Sequence, residues 1–501
     1  MEVLKKYKNQ IRFHLVVNIA FAVLITYASF SHYPLHDIKG YATYFLHFLV
    51  LQFTVFGFLY VIALNRVVFA LVIPPIFLLL AVAGFFVYFQ DIAISHSIIR
   101  ATFESKPDIA FELISLPLVI YLIFTFVTIF LLVRWRLKIL NPIKSPLTIL
   151  AVIAILSFYI LENYKYGILT RRLPYSVEVA TSEYFTKNEL ALYPIAKTLK
   201  SNTDAIKVIF VLGETVRADH MQLNGYSRNT NPLLSEKSNL ISFPKTYTNK
   251  TYTAESLQQL FTNASLNDNF DKPKYSLIDV LNHANVKTNW IGNQTPEISY
   301  EIFINQCQTK QILDPFHSEL SFQKAYDIEM LLPFKKVFQS PYRQFTTLHM
   351  MGSHWWYETR YPDAFRKYTP VIKSKNISSN SQQEMVNSYD NTILYLDYFL
   401  DQTIRIAEKD QGENLLIYLS DHGELLGENN QWLHAQAAES VSNPAMVIWY
   451  SDAFAAKHPE WIVRLNAIKT QKLDLDFLFP SVLELFGVEG IPYDASKNIF
   501  R

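Results

Sequence analysis

The residues able to do chemistry stand at the ends of apolar runs. The stretch Asn414 to Glu428 reads NLLIYLSDHGELLGE. Leu415 to Leu419 suits a buried strand, and Asp421 and His422 follow it just before Gly423. A strand ending this way presents two metal-ligand types at the carboxyl edge of a sheet, where open α/β sheets hold their ligands. The pattern recurs at Ile206 to Leu212, which runs into Gly213, Glu214 and Thr215. Each case has an ordinary reading as well. Asp421-His422 would serve as a polar turn, and Glu214 as the cap of a helix starting near Thr215.

A hydroxyl group comes from Thr251-Tyr252-Thr253-Ala254-Glu255-Ser256-Leu257, ahead of a helical pattern over Glu255 to Phe261. A helix N-terminus favours negative charge and offers free peptide N–H groups. A threonine placed there would show its oxygen to a phosphoryl group, but needs a base or a metal to react. A plain helix N-cap is the alternative reading of Thr253, and Thr251 is a second, weaker candidate nucleophile. His349 and His354, five apart across Gly352, suit a loop after a strand at Phe345 to Leu348. His434, in Gln431-Trp432-Leu433-His434-Ala435, lies a dozen residues past the Asp421-His422 pair and can fold back to the same edge.

The chain has one cysteine, Cys307, so a thiolate cluster and an intramolecular disulfide are both excluded. Carboxylate, imidazole and hydroxyl groups together suit zinc in a catalytic site. Zinc would lower the threonine pKa and polarise a phosphoryl oxygen. The histidines would stabilise phosphate oxygens, bind a second metal or protonate a leaving alkoxide. Glu424 has no ligand role in this reading.

These groups need elements to hold them. From Asp204 onward, strand signals at Ile206 to Leu212, Val286 to Gly292, Phe345 to Leu348, Leu415 to Leu419 and Ala445 to Tyr450 alternate with helical patterns such as Met385 to Ile406. The stretch Leu473 to Val488 reads as a further helix with Pro480 near its first turn. That alternation predicts a wound α/β domain with a largely parallel sheet over 205–501.

The first third of the chain differs in texture. Of 501 residues, 50% are hydrophobic and only 18% charged, and the excess is concentrated here. Apolar runs at about 13–30, 43–64, 67–89, 113–133 and 146–163 each approach the ~20 residues that cross a bilayer core. They predict a five-helix membrane domain over 1–164, followed by a bridging, interfacial segment over 165–204. The loop from Gln90 to Glu112 has the look of an interfacial helix. Basic residues near the N-terminus (Lys5, Lys6, Lys8, Arg12), at Arg66, and at Arg134, Arg136, Lys138 and Lys144 all fall on one side if the N-terminus is cytoplasmic. An odd number of spans then puts the α/β domain outside. The net charge of +1 gives no basic field for nucleic acid.

In this order, the stretches VIFVLGETVRADHMQLNGYSRNTNPLL, TYTAESLQQLF, LHMMGSHWWY, NSYDNTILYLD, IYLSDHGELLGE and WLHA resemble the phosphoethanolamine transferases of the alkaline phosphatase superfamily. These are the bacterial inner-membrane enzymes that decorate lipid A or lipopolysaccharide core. The resemblance spans essentially the whole chain and implies a sulfatase-like periplasmic domain. It implies that Glu214, Thr253, Asp421 and His422 hold a catalytic zinc ion, and that Thr253 is the nucleophile. It matches His349, His354 and His434 to positions that bind substrate phosphate or a second zinc, and Asn293 to a substrate-contacting asparagine. It implies transfer from phosphatidylethanolamine, a membrane lipid, with release of diacylglycerol, and polymyxin resistance if the acceptor is lipid A. The chain departs from the better-known lipid A members, which have a disulfide flanking the nucleophile, because Asn249 and Gln259 stand at those positions. GNQTPEISYEIF also lacks their cysteine-lysine pattern. Other superfamily activities remain as alternatives: a glycerophosphate transferase, a phosphatase or a sulfatase. The position of Cys307, away from the nucleophile, argues against a formylglycine sulfatase.

Overall fold

A computed structural model describes residues 7–30, 38–90, 94, 99, 116–139, 147–164, 169, 172–185, 190–202, 204–315, 324–373, 380–434 and 437–501. They fall into two compact units, Met1–Thr186 and Lys187–Lys373 with Asn380–Arg501. Apart from Ile94 and Ile99, the residues 91–112 expected to form an interfacial helix lie outside the described set.

The first unit is helical. Among the described residues its helices are α1 (Lys8–Leu24), α2 (Ile38–Ala63), α3 (Arg66–Gln90), α4 (Leu116–Lys138), α5 (Leu147–Tyr164) and α6 (Tyr175–Phe185). Three of them, α2, α3 and α4, are long and apolar enough to cross a membrane, while the apolar part of α5 is the shorter run Leu147–Glu162. The expected first span at 13–30 is a 17-residue helix followed by a 3₁₀ turn, Thr26–Phe30. Pro74 and Pro75 sit inside α3, as membrane helices tolerate. A small residue brings α2 and α5 together: a Cβ on Gly57 would lie 2.9 Å from Ile155 Cγ1 and 3.0 Å from the Ala151 carbonyl. At the far end of α2, the buried Arg136 of α4 donates to the Ala63 and Leu64 carbonyls at 2.8 and 3.1 Å. The otherwise unpaired end of that helix is thereby pinned to α4.

The second unit is built on a seven-stranded sheet of β1 (Lys207–Gly213), β2 (Leu240–Phe243), β3 (Lys287–Gly292), β4 (Thr309–Ile312), β5 (Gln344–His349), β6 (Asn414–Ser420) and β7 (Met446–Tyr450). Their order is β2-β7-β6-β1-β5-β3-β4. β6, β1, β5, β3 and β4 run parallel, while β7 is antiparallel to both β6 and β2, so the sheet is mixed. β1 and β6 are buried at every position, which is why they read as uninterrupted apolar runs.

On one face, Phe210, Leu212, Ile417 and Leu419 pack in a common core with residues of α7 (Thr253–Leu260) and α9 (Leu478–Leu485). α8 (Gln382–Ala407) starts from a Ser381/Glu384 capping box and buries Met385, Tyr389, Ile393, Leu396 and Leu400 at helical spacing. The helix expected over Leu473 to Val488 is a 3₁₀ turn, Leu475–Phe477, leading into α9, with Pro480 in its first turn.

Register fixes what reaches the carboxyl edge. Gly213 pairs with Ser420, Leu212 with His349, and Gly292 with His349. Glu214 and Asp421 are therefore the first residues beyond the neighbouring strands β1 and β6, and Asn293 is the first beyond β3, on the other side of β5.

Candidate active site

Glu214 is fully buried and is followed by Thr215 at φ +57°, a conformation that β-branched residues seldom adopt. Four hydrogen bonds hold the turn there. The Thr215 N–H donates to Asp421 Oδ1 (3.2 Å) and the Val216 N–H to Ser420 Oγ (2.8 Å). The Tyr389 hydroxyl donates to the Thr215 carbonyl (2.6 Å) and accepts the Arg217 N–H (2.8 Å). Such over-determination is what keeps an unfavourable backbone in place.

Thr253 is the first residue of α7 and is half-buried. Its Oγ1 donates to Glu214 Oε2 at 2.9 Å. The same Oε2 accepts from Gln294 Nε2 at 2.9 Å, and Gln294 also donates to the Met350 carbonyl at 3.0 Å. Thr253, rather than Thr251, is the threonine bonded to Glu214.

Three residues share one arrangement: a positioning atom is bonded and a second atom is left over. Glu214 uses Oε2 as described. Asp421 Oδ1 accepts the Thr215 and His422 N–H groups, the latter at 2.9 Å. His422 Nδ1 pairs with the Gly423 carbonyl at 2.9 Å, which makes Nδ1 the protonated nitrogen and leaves a lone pair on Nε2. The remaining atoms, Glu214 Oε1, Asp421 Oδ2 and His422 Nε2, are buried without a hydrogen-bond partner among the described residues. They face each other: Nε2 lies 3.5 Å from Oε1 and 3.2 Å from Oδ2. Burial, then the neighbouring Asp421 charge, drives the Glu214 carboxyl well above its usual range, while burial lowers His422 and keeps it neutral. Two carboxylates and a neutral imidazole converging in a dry site are costly without a cation between them. With it, oxygen, oxygen and nitrogen donors fit a zinc ion.

The His434 ring lies tilted against that of His422 at 4.5 Å between centroids, and His354 lies 5.9 Å from His434. The structure therefore brings these two histidines to the site. Burial lowers His354 well below the usual imidazole value, helped by the Arg360 charge. Burial also works against a charged His434, but Glu424, 3.3 Å from its Nδ1, outweighs burial and raises it.

His349 makes ring contacts with other residues, and both of its ring nitrogens are buried without a hydrogen-bond partner among the described residues. As the last residue of β5 it is buried, edge-on to Trp290 (5.5 Å) and Tyr300 (5.6 Å), and burial lowers it to about 3. The Asn293 Nδ2 donates to the Ala325 carbonyl (2.7 Å) and to Asp327 Oδ1 (2.8 Å), while its Oδ1 is buried without a partner among the described residues.

Several supporting residues carry no strong sequence signal. Gln294 is visible there only as the neighbour of Asn293. Glu424, which has no role in the sequence reading, is buried and bonds both His434 and the Tyr357 hydroxyl (3.2 Å). The buried Asp327 accepts the Met351 and Gly352 N–H groups at 2.9 and 3.0 Å. Gly352, at φ +54°, lies against Glu214: a Cβ there would stand 2.9 Å from the Glu214 carbonyl oxygen and 3.0 Å from its Cβ. Gly352→Ala is therefore expected to destabilise the fold by about 1–3 kcal/mol. By displacing Glu214, it is expected to lower zinc affinity on the order of 10-fold or more. Thermal unfolding and metal titration of the variant check both.

The sulfatase family model matches residues 207–488. The phosphoethanolamine transferase EptA of Escherichia coli (strain K12) is 28% identical over 473 residues, covering 84% of this chain and 83% of its own. The integral membrane protein lipooligosaccharide phosphoethanolamine transferase A of Neisseria meningitidis is 24% identical with a TM-score of 0.57, covering 97% of this chain and 98% of its own, a likeness of fold. The C-terminal periplasmic domain of EcEptC from Escherichia coli, solved as a complex with Zn, is 25% identical with a TM-score of 0.54, covering 62% of this chain and 90% of its own.

Proposed function

The chain belongs to the sulfatase family, and from that premise we propose that it is a phosphoethanolamine transferase of the alkaline phosphatase superfamily, which moves phosphoethanolamine from phosphatidylethanolamine to lipid A or lipopolysaccharide core through an intermediate on Thr253. The observation that carries the reading is the convergence of three orphaned atoms, Glu214 Oε1, Asp421 Oδ2 and His422 Nε2, beside a threonine hydroxyl bonded to the same glutamate. Glu214, Asp421, His422 and Thr253 would hold the zinc. When bound there, zinc lowers the pKa of a hydroxyl group and polarises a phosphoryl oxygen.

The rest is the work of the chain. Thr253 Oγ1 attacks phosphorus, and its proton passes along the existing 2.9 Å hydrogen bond to Glu214 Oε2. The P–O bond to glycerol breaks, and diacylglycerol leaves with a proton. His434, whose protonated form Glu424 favours, is placed to give that proton. The start of α7 turns peptide N–H groups toward the transferred phosphate. In the second half, an acceptor oxygen attacks the same phosphorus and the Thr253 Oγ1–P bond breaks; the threonine regains its proton from Glu214, and the proton of an acceptor hydroxyl group passes to His434, which restores both groups. His354, held neutral with its Nδ1 proton on the Trp355 carbonyl at 2.7 Å, keeps a lone pair on Nε2, which suits a second zinc. Asn293, held by the Ala325 carbonyl and Asp327, suits support of the adjoining Gln294, while His349, whose two ring nitrogens both lack a hydrogen-bond partner among the described residues, suits substrate phosphate or a second zinc.

We place all five apolar helices in the bacterial inner membrane and the α/β unit in the periplasm. The basic residues gathered on one side of the spans support this topology. With lipid A as acceptor, added ethanolamine lowers the negative surface charge, and with it the attraction of polymyxin. Lipid A and core masses compared in a Gram-negative host with and without the chain test the reading. Phosphoethanolamine gained on either one is the expected result, and identical masses in both fractions would overturn it.

A further inference from the structure

Within the helical unit, α3 and α6 enclose a groove of about 650 Å³. One wall, from Ile76, Leu79 and Leu80 of α3, is wholly apolar; α6 contributes Glu178, Thr181 and Ser182. α6 is fastened in place: the Tyr175 hydroxyl donates to Thr54 Oγ1 at 2.9 Å, and its ring packs on Phe158 at 4.6 Å. Ile76 and Leu79 are 42% and 56% exposed, surface that meets acyl chains in a bilayer.

Glu178 has no hydrogen-bond or ion-pair partner among the described residues, and the Ser182 hydroxyl has none either. Thr181 Oγ1 already donates to the Val177 carbonyl at 2.6 Å, so its remaining capacity is as an acceptor. The rim therefore offers a carboxylate and a hydroxyl acceptor, together with one free hydroxyl donor. A carboxylate beside hydrocarbon is costly unless a cation meets it. The complementary ligand has acyl chains, a phosphate for the Ser182 donor, and an ammonium group for Glu178.

We propose that this groove is a seat for phosphatidylethanolamine, with an acyl chain along α3 and the ammonium group on Glu178. The inference rests on the donor assignment above and gives that donor a place on the helical unit. An anionic phospholipid without an ammonium group, such as phosphatidylglycerol, is repelled by the same carboxylate.

Lipid retention tests the seat independently of turnover. The full-length Thr253→Ala chain is loaded in nanodiscs of equal phosphatidylethanolamine and phosphatidylglycerol, and the retained lipid is read by native mass spectrometry. Glu178 is exposed, so its variants should fold. Phosphatidylethanolamine should be preferred with Glu178 present. Glu178→Gln should lower that preference about five-fold, as the loss of one half-wet charge contact would, and Glu178→Lys should reverse it. Leu79→Trp, which fills the groove, should reduce retention of both lipids. The same lipid ratio with Glu178 intact, in Glu178→Gln and in Glu178→Lys would mean annular lipid only and overturn the proposal, even if the unmutated chain transfers phosphoethanolamine. Retention that follows Glu178 in a chain whose Thr253 form transfers nothing would uphold the seat and overturn the donor assignment instead.

Discussion

Thr253→Ala is expected to abolish transfer, on the order of 10⁴-fold or more, the scale on which loss of a covalent nucleophile is felt. Its fold should be little changed. The side chain is half-buried at the first position of α7, where alanine is a good helix former, and Glu214 keeps its bond to Gln294. The three converging metal-ligand atoms remain, so the variant should still take up zinc, more weakly for want of one oxygen. Release of labelled diacylglycerol from a fluorescent phosphatidylethanolamine reads the activity, and metal analysis of the same sample reads the site. Thr253→Ser should restore a part of the transfer. A variant with neither zinc nor activity would point to a structural role for Thr253.

The second large effect concerns the ion. His422→Ala and Asp421→Asn should each leave the protein nearly zinc-free after dialysis and lower transfer on the order of 10³-fold, as removal of a catalytic ligand does. Chelation of the unmutated protein should do the same, with recovery on adding zinc. Asp421→Asn carries a sharper test. Its Oδ1 can still accept the Thr215 and His422 N–H groups, so the strained turn stays held. What it removes is one of two buried carboxylates that face each other. Without zinc, the variant should therefore melt a few degrees higher than the unmutated protein; with zinc, it should melt lower. A melting order unaffected by zinc would contradict a metal role for this group.

How much of this is legible in the sequence depends on whether local pattern or tertiary placement decides the outcome. Glu214 and the Asp421-His422 pair can be read because β1 and β6 are buried along their whole length and end abruptly in polar residues. The edge strands β2 and β4 have only four residues each, and Thr309–Ile312 is half-exposed and polar, so neither shows a strand pattern. His349 and His354 look equivalent in a short loop. The end of the strand separates them: His349 belongs to the last register pair of β5 and is buried by it, while His354 lies beyond Gly352, past the turn. The parallel sheet is foreseeable, but its antiparallel β7 is not, because an apolar run does not encode its own direction. Tyr389 and Asp327 order the site from a helix and a 3₁₀ turn far off in sequence, and no local spacing announces them.

Mass spectrometry of the purified chain incubated with phosphatidylethanolamine in the absence of acceptor tests the central claim most directly. A phosphoethanolamine group on the peptide that contains Thr253, lost on adding lipid A or core acceptor and absent from Thr253→Ala, is the predicted result. An unmodified Thr253 in a chain that still releases diacylglycerol, or a glycerophosphate group in its place, would contradict it.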